Sequence, residues 1–170
     1  AAYATIHRAD LHGLLLKAVQ ARDSVELKLK LGIADHTEAD GAVLVRTSQG
    51  KEVEGDALIG ADGLWSATRA RLLNDGPPRT SGHLAYRALV PQAALPPALR
   101  TRHVTAWLGP RLHAVQYPVR RGELQNLVVI VQGAAPHDLQ GWDHAANAGD
   151  LERALAGTCT PLQDLVRRIP

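Results

Sequence analysis

Hydrophobic positions change their spacing several times along this chain, and each change predicts an element. Over residues 8–21, Leu11, Leu14, Leu15, Ala18 and Val19 recur at helical spacing and predict one amphipathic helix. From Ser24 the period becomes two. Val25, Leu27, Leu29, Leu31 and Ile33 alternate with Glu26, Lys28 and Lys30, which predicts a half-buried strand. Asp40-Gly41 is a hairpin signal, followed by a strand over 42–47, and Gln49-Gly50 turns into another over 51–54. A continuous apolar run at 56–59 then predicts a fully covered strand.

The second half follows the same logic. Residues 64–73 suit a helix, closed by Asn74-Asp75-Gly76-Pro77-Pro78. Four strand-like runs follow at 83–90, 102–108, 112–119 and 123–131, with tight turns at Gly109-Pro110 and Arg121-Gly122, so an antiparallel meander is expected. A polar segment at 133–149 leads to short helices around 151–156 and 162–168. The fold class is α/β (α+β), and the turn-rich stretch 74–81 is the expected lobe boundary. Residues 1–74, 82–132 and 133–170 are the three parts.

Composition narrows the function. Of 170 residues, 45% are hydrophobic and 21% charged, which is ordinary for a globular protein. The net charge of +2 comes from scattered basic residues, so no nucleic-acid stripe is present. Cys159 is the single cysteine, which excludes an internal disulfide and points to a reducing cytoplasm. No apolar run reaches the length of a membrane span. The chain starts with Ala and has no Met, so a piece of a longer protein is expected. The eight histidines lack His-x-His or His-x-x-x-His pairing, so no metal site is expected.

One stretch carries candidate chemistry. In LIGADGLWSATR, residues 58–69, an apolar run delivers Asp62 and Gly63 to its tip, and Ser66 and Arg69 follow at fixed steps. A plain turn with Asp62 capping the next helix explains a single Asp-Gly. The whole arrangement also suits a nucleotide. Gly63 lets a ligand approach the backbone, the helix start offers amides, and Ser66 and Arg69 add a hydroxyl and a cation. Elsewhere, Arg8 stands in the first turn of a helix, where a cation opposes the helix dipole without local gain. On the run 112–119, His113, Val115 and Tyr117 share one face.

These residues resemble the FAD-dependent aromatic hydroxylases, in the salicylate and 3-hydroxybenzoate branch. GADGLWSATR is similar to that family's Asp-Gly motif, and the pattern DGxxSxxR is complete. HRADLHGLLLKAV, residues 7–19, resembles the helix whose leading Arg reaches the flavin. YRALVP and LGPRLHAVQYPVRRGELQNLVVIVQ resemble its substrate-domain sheet. The resemblance implies a partial Rossmann-like FAD/NAD(P)-binding lobe at 1–74, with a β-meander. It implies an antiparallel substrate sheet at 82–132, and loops and short helices at 133–170 leading back to the FAD lobe.

The cofactor-binding residues it implies are Arg8, Asp62, Gly63, Ser66 and Arg69, with Arg69 supporting Asp62 and its loop. The catalytic residues it implies are His113 and Tyr117, lining a phenol pocket where an imidazole can accept the phenol proton. Tyr86 and Arg87 are secondary candidates. FAD, NAD(P)H and dioxygen are the implied reactants, a phenolic or benzoate-like ring the substrate, and a homodimer is allowed. The family's Gly-x-Gly-x-x-Gly fingerprint and its later Gly-Asp motif are absent, so the chain reads as a central fragment. The rival reading is a non-catalytic binding module or a degenerate flavoprotein remnant. A hydrolase reading fails because Ser66 lacks the Gly-x-Ser-x-Gly elbow. Trp65, Trp107 and Trp142 are expected to pack.

Overall fold

The computed structural model describes residues 4–134 and 147–169. Two compact units emerge: Gly13–Arg79, and Ala1–His12 with Thr80–Pro170. The polar stretch 135–146, with Trp142, lies outside the described residues.

Helix α1, Arg8–Gln20, is the expected amphipathic helix, with Asp10 in its first turn. Its apolar stripe is not covered: Leu11, Leu14 and Leu15 are all exposed.

The unit Gly13–Arg79 holds a three-stranded antiparallel sheet of β1 (Ile33–Ala39), β2 (Ala42–Thr47) and β3 (Glu52–Gly55), with β2 in the middle. Asp40 and Gly41 both take positive φ, 53° and 79°, as a two-residue type I′ hairpin requires. Helix α2, Ala67–Leu73, follows, and an Arg71–Asp35 ion pair ties it to β1.

Two expected strands are overturned here. Residues 25–31 alternate as predicted but form no strand, and β1 begins at Ile33. Alternation reports two faces, whereas a strand also needs a hydrogen-bonded neighbour. Among the described residues nothing pairs with 25–31, and Lys30 breaks the extended run at φ 57°. The apolar run 56–59 is likewise irregular, with Ile59 89% exposed. A covered strand needs neighbours on both edges, and among the described residues it has none. Trp65, expected to pack, is also exposed.

The other unit carries a four-stranded antiparallel sheet in the order β4-β7-β6-β5: β4 (His83–Pro91), β5 (Thr105–Gly109), β6 (Leu112–Val119) and β7 (Leu124–Gln132). β5, β6 and β7 form the expected meander, and β4 joins at the β7 edge. Helices α3 (Ala148–Ala154) and α4 (Thr160–Val166) contribute to its core. That core joins Val90, Ala114, Leu127, Val129 and Val131 of the sheet to Leu151, Leu155, Leu162, Leu165 and Val166 of the helices. Trp107 packs against it.

Because strand side chains alternate, burying one face leaves the other for a different use. Paired registers set that second face in rows. Leu89, Asn126 and Tyr117 stand side by side; Arg87, Val128 and Val115 form the next row; Ala85, Ile130 and His113 the third.

Segment 92–101 is fixed to the end of the sheet by a buried amide network. Gln125 is fully buried and donates to Gln92 Oε1 and to the Thr101 carbonyl, while Gln92 donates to the Gly122 carbonyl at 2.7 Å. Gln116, also buried, donates to the Leu99 carbonyl at 3.1 Å.

Candidate functional site

Two places hold the residues singled out by sequence, one in each unit. The first is the Asp62 loop. Asp62 Oδ1 accepts from the Ser66 hydroxyl, and its Oδ2 accepts from the Thr68 N–H and hydroxyl, each at 3.1 Å. Ser66 is the N-cap of α2 and accepts from the Arg69 N–H at 2.9 Å. Helix starts leave several N–H groups without partners, and this constellation satisfies two of them. The Ser66 hydroxyl, and then the Thr68 N–H, hold the Asp62 carboxyl down to about 2.

This geometry revises the sequence expectation in two respects. α2 starts at Ala67, because Ser66 caps it, and the amides of Thr68 and Arg69 are taken by Asp62 and Ser66 instead of being offered to a ligand. Arg69 supports Asp62 through its backbone alone, since its side chain pairs with Asp75 through two hydrogen bonds, Nε–Oδ2 at 3.0 Å. That pairing raises the Arg69 guanidinium and lowers the Asp75 carboxyl.

Gly63 takes φ +80° and is exposed, with no atom within 4 Å of where a Cβ would stand. Gly60 is needed for a different reason, since a Cβ there would meet Thr68 Cγ2 at 2.8 Å. Sequence reasoning missed Gly60 and Thr68. Their signal was the close return of the loop onto the first turn of α2.

The second place is a cleft of about 520 Å³ on the free face of the four-stranded sheet. Arg87 and Leu89 of β4, Tyr117 of β6, and Asn126 and Val128 of β7 line it. Ile6, His7 and Arg8 form the opposite wall. The structure thus brings Arg8 and Tyr117 to one cleft. His113 faces the same way but is not among the residues lining it. It stands four residues from Tyr117, about 13 Å along the strand. Tyr86 faces the core, on the side opposite to Arg87.

The wall is anchored at both ends. The Thr5 hydroxyl donates to the Pro118 carbonyl, and Arg120 makes a two-pronged pair with Asp10, at 2.9 and 2.8 Å. Hydrogen bonding from Arg120 lowers the Asp10 carboxyl, and the pairing raises Arg120. The turn that presents Arg120 is unusual, since Arg120 and Arg121 take φ of 49° and 57° before Gly122 at 89°. His7 Nδ1 is buried without a hydrogen-bond partner and lies 3.7 Å from Asp10 Oδ1. Asn126 was not recognised from sequence, since its place beside Tyr117 needs the register of the β6–β7 hairpin.

No group of three or more His, Cys, Asp or Glu side chains converges among the described residues, and no described helix is long and apolar enough to cross a membrane.

No protein-family model matches the chain. It is 40% identical over 133 residues to 3-hydroxybenzoate 6-hydroxylase 1 of Aquipseudomonas alcaligenes, covering 78% of this chain and 34% of that protein. It is 37% identical over 164 residues to 3-hydroxybenzoate 6-hydroxylase of Polaromonas naphthalenivorans, covering 96% of this chain and 40% of that protein. The chain therefore spans well under half the length of the curated relatives it matches. Among solved structures, Klebsiella pneumoniae HpxO complexed with FAD and uric acid aligns with a TM-score of 0.76 at 29% identity, over 95% of this chain and 40% of that one. A salicylate hydroxylase substrate complex aligns with a TM-score of 0.72 at 26% identity, over 96% of this chain and 44% of that one. With its Asp-Gly loop and its antiparallel sheet, this chain belongs to the FAD-dependent aromatic hydroxylase family.

Proposed function

We propose that this chain is the Asp-Gly loop and substrate sheet of a flavin-dependent monooxygenase that hydroxylates a phenolic or benzoate-like ring, using NAD(P)H and dioxygen. The observation that carries the reading is the cleft. Tyr117, Asn126 and Arg87 line a face of the sheet that the core leaves free, opposite Arg8. The likeness to 3-hydroxybenzoate 6-hydroxylases supports it.

The residues present fit FAD. Gly63 leaves the backbone open, and Arg8 and Asp62 are exposed charges of opposite sign. Arg8, Asp62, Gly63 and Ser66 would hold the cofactor, with Arg69 bracing the loop through its backbone. FAD, when bound and reduced by the nicotinamide, supplies the oxygen-transfer chemistry. The chain's own part is to orient the ring and manage its proton. Tyr117 gives the ring hydroxyl or carboxylate a hydrogen-bond partner, and His113 accepts the phenol proton, making the ring a better nucleophile. Their spacing along β6 makes these two separate contacts, not one relay.

Reduced-nicotinamide oxidation by the protein carrying this chain, supplied with FAD and 3-hydroxybenzoate, tests the reading. Substrate-stimulated oxidation with a hydroxylated product by chromatography is expected. No stimulation by any hydroxybenzoate overturns it. A cytoplasmic setting, supported by the single thiol of Cys159, and a homodimer, supported by the resemblance, complete the proposal. Light scattering that gives a monomer overturns the homodimer.

A further inference from the structure

Charge is distributed unevenly around the cleft. Arg8 and Arg87 both line it, and no Asp or Glu among the described residues does. Asp10, the carboxylate nearest the wall in sequence, is already engaged by Arg120 through two hydrogen bonds. Arg87 itself is exposed and has no hydrogen-bond partner among the described residues. The same holds for the Tyr117 hydroxyl and the Asn126 amide. Three polar side chains therefore face one cavity with their hydrogen-bonding capacity unused.

Register fixes their spacing. Asn126 is directly opposite Tyr117, and Arg87 pairs with Val128, one diagonal step from Asn126. Diagonal neighbours lie about 7–8 Å apart, which a long side chain spans. Tyr117 is one strand further on, so Arg87 and Tyr117 bracket a gap of roughly 12 Å between Cα atoms. A benzene ring with a carboxylate at one end and a hydroxyl at the other fits between them. A planar guanidinium matches a carboxylate through two parallel hydrogen bonds.

We propose that Arg87 is the specificity-determining residue that recognises the carboxylate of an aromatic acid held in this cleft, with Asn126 and Tyr117 on the ring's far side. The inference rests on the proposed aromatic substrate and adds to it the group that selects an acid over a neutral phenol. Val128, which lines the cleft between Arg87 and Tyr117, forms the apolar floor beneath the ring.

The test is equilibrium binding of 3-hydroxybenzoate and its uncharged analogue 3-hydroxybenzamide to the FAD-loaded protein carrying this chain, followed by tryptophan fluorescence. Wild type should bind the acid more tightly. Arg87→Gln should weaken acid binding by about tenfold to a hundredfold while leaving the amide nearly unchanged, as expected for a lost charge-assisted pair. Arg87→Lys should recover part of the difference, because it keeps the charge and loses the fork. Circular dichroism confirms that the variants fold. Equal weakening of both ligands overturns the assignment, since it indicates a structural role. An unchanged preference for the acid in Arg87→Gln also overturns it, and leaves the aromatic reading standing. Wild type that binds neither ligand overturns both.

Discussion

The two sheets of this chain treat their hydrophobic residues differently. In the four-stranded unit, Val129, Leu155 and Leu165 have no exposed surface, and two short helices share one core with the sheet. In the unit Gly13–Arg79, only Val43 and Thr47 are buried among the described residues, while Ile59, Leu64 and Leu73 stand largely in water. Apolar content is similar in both, so composition does not separate them. A sheet whose second layer is supplied nearby buries its face; one without that layer keeps its strands through backbone pairing and turns. Stability in this protein is therefore concentrated in one unit, and the Asp62 loop is seated less firmly than the sheet that carries Arg87, Tyr117 and Asn126.

That contrast can be broken most forcibly in the core. Leu165→Ala should cost about 2–5 kcal/mol, because it removes a fully buried side chain and leaves a cavity. Ile59→Ala, at 89% exposure, should change stability by less than about 0.5 kcal/mol. Urea unfolding curves of the two variants measure the difference, and equal shifts would erase the distinction.

A smaller effect is expected at the Asp62 loop. Ser66→Ala removes the N-cap of α2 and should destabilise that helix by about 1 kcal/mol. Faster amide exchange confined to α2 and the loop, with β4–β7 unchanged, is the expected readout. Asp62 adds a pH dependence of known sign. Its folded carboxyl, held at about 2, lies below the unfolded value near 3.9, so its contribution is fully present above about pH 4. The contribution is lost as pH falls towards 2. The Thr68 amide should exchange faster across that window after correction for intrinsic rates, and Asp62→Asn should flatten the change. A weaker effect than at Ser66 belongs to the exposed Arg46–Glu52 pair between β2 and β3. Arg46→Ala should cost less than about 1 kcal/mol, and the loss should vanish in molar salt.

Much of the four-stranded sheet was legible because two signals agreed there. Alternation supplied the faces, and turn residues supplied the connections, so His113 and Tyr117 could be placed on one side before any coordinates. The same parity separates Arg87 from Tyr86. With Val90 buried, the even positions of β4 face the core and Arg87 faces away. Asn126 was not legible, since its neighbour depends on a turn in which Arg120 and Arg121, neither a typical left-handed residue, take positive φ. Residues 25–31 and 56–59 misled for another reason: apolar spacing records what a segment could bury, not whether a partner is there. At Asp62 the motif was plain, and the capping of the next helix that a plain turn offers is what its carboxylate does at the Thr68 N–H. The part of Ser66 as N-cap was not read. Whether a helix start is open or closed depends on Thr68 and Ser66 as much as on the Asp.

The doubly anchored wall of the cleft has a mechanical consequence. Thr5 and Asp10 hold residues 6–8 to one end of β6, the first at Pro118 and the second at Arg120 in the turn just beyond the strand, as a plank is held by two nails. Such a wall cannot draw back at one end to admit a wider guest without first losing a hydrogen bond or an ion pair. The width of the cleft is therefore a gauge set at one end of β6 and in the turn that follows it, and widening it costs one of those two contacts.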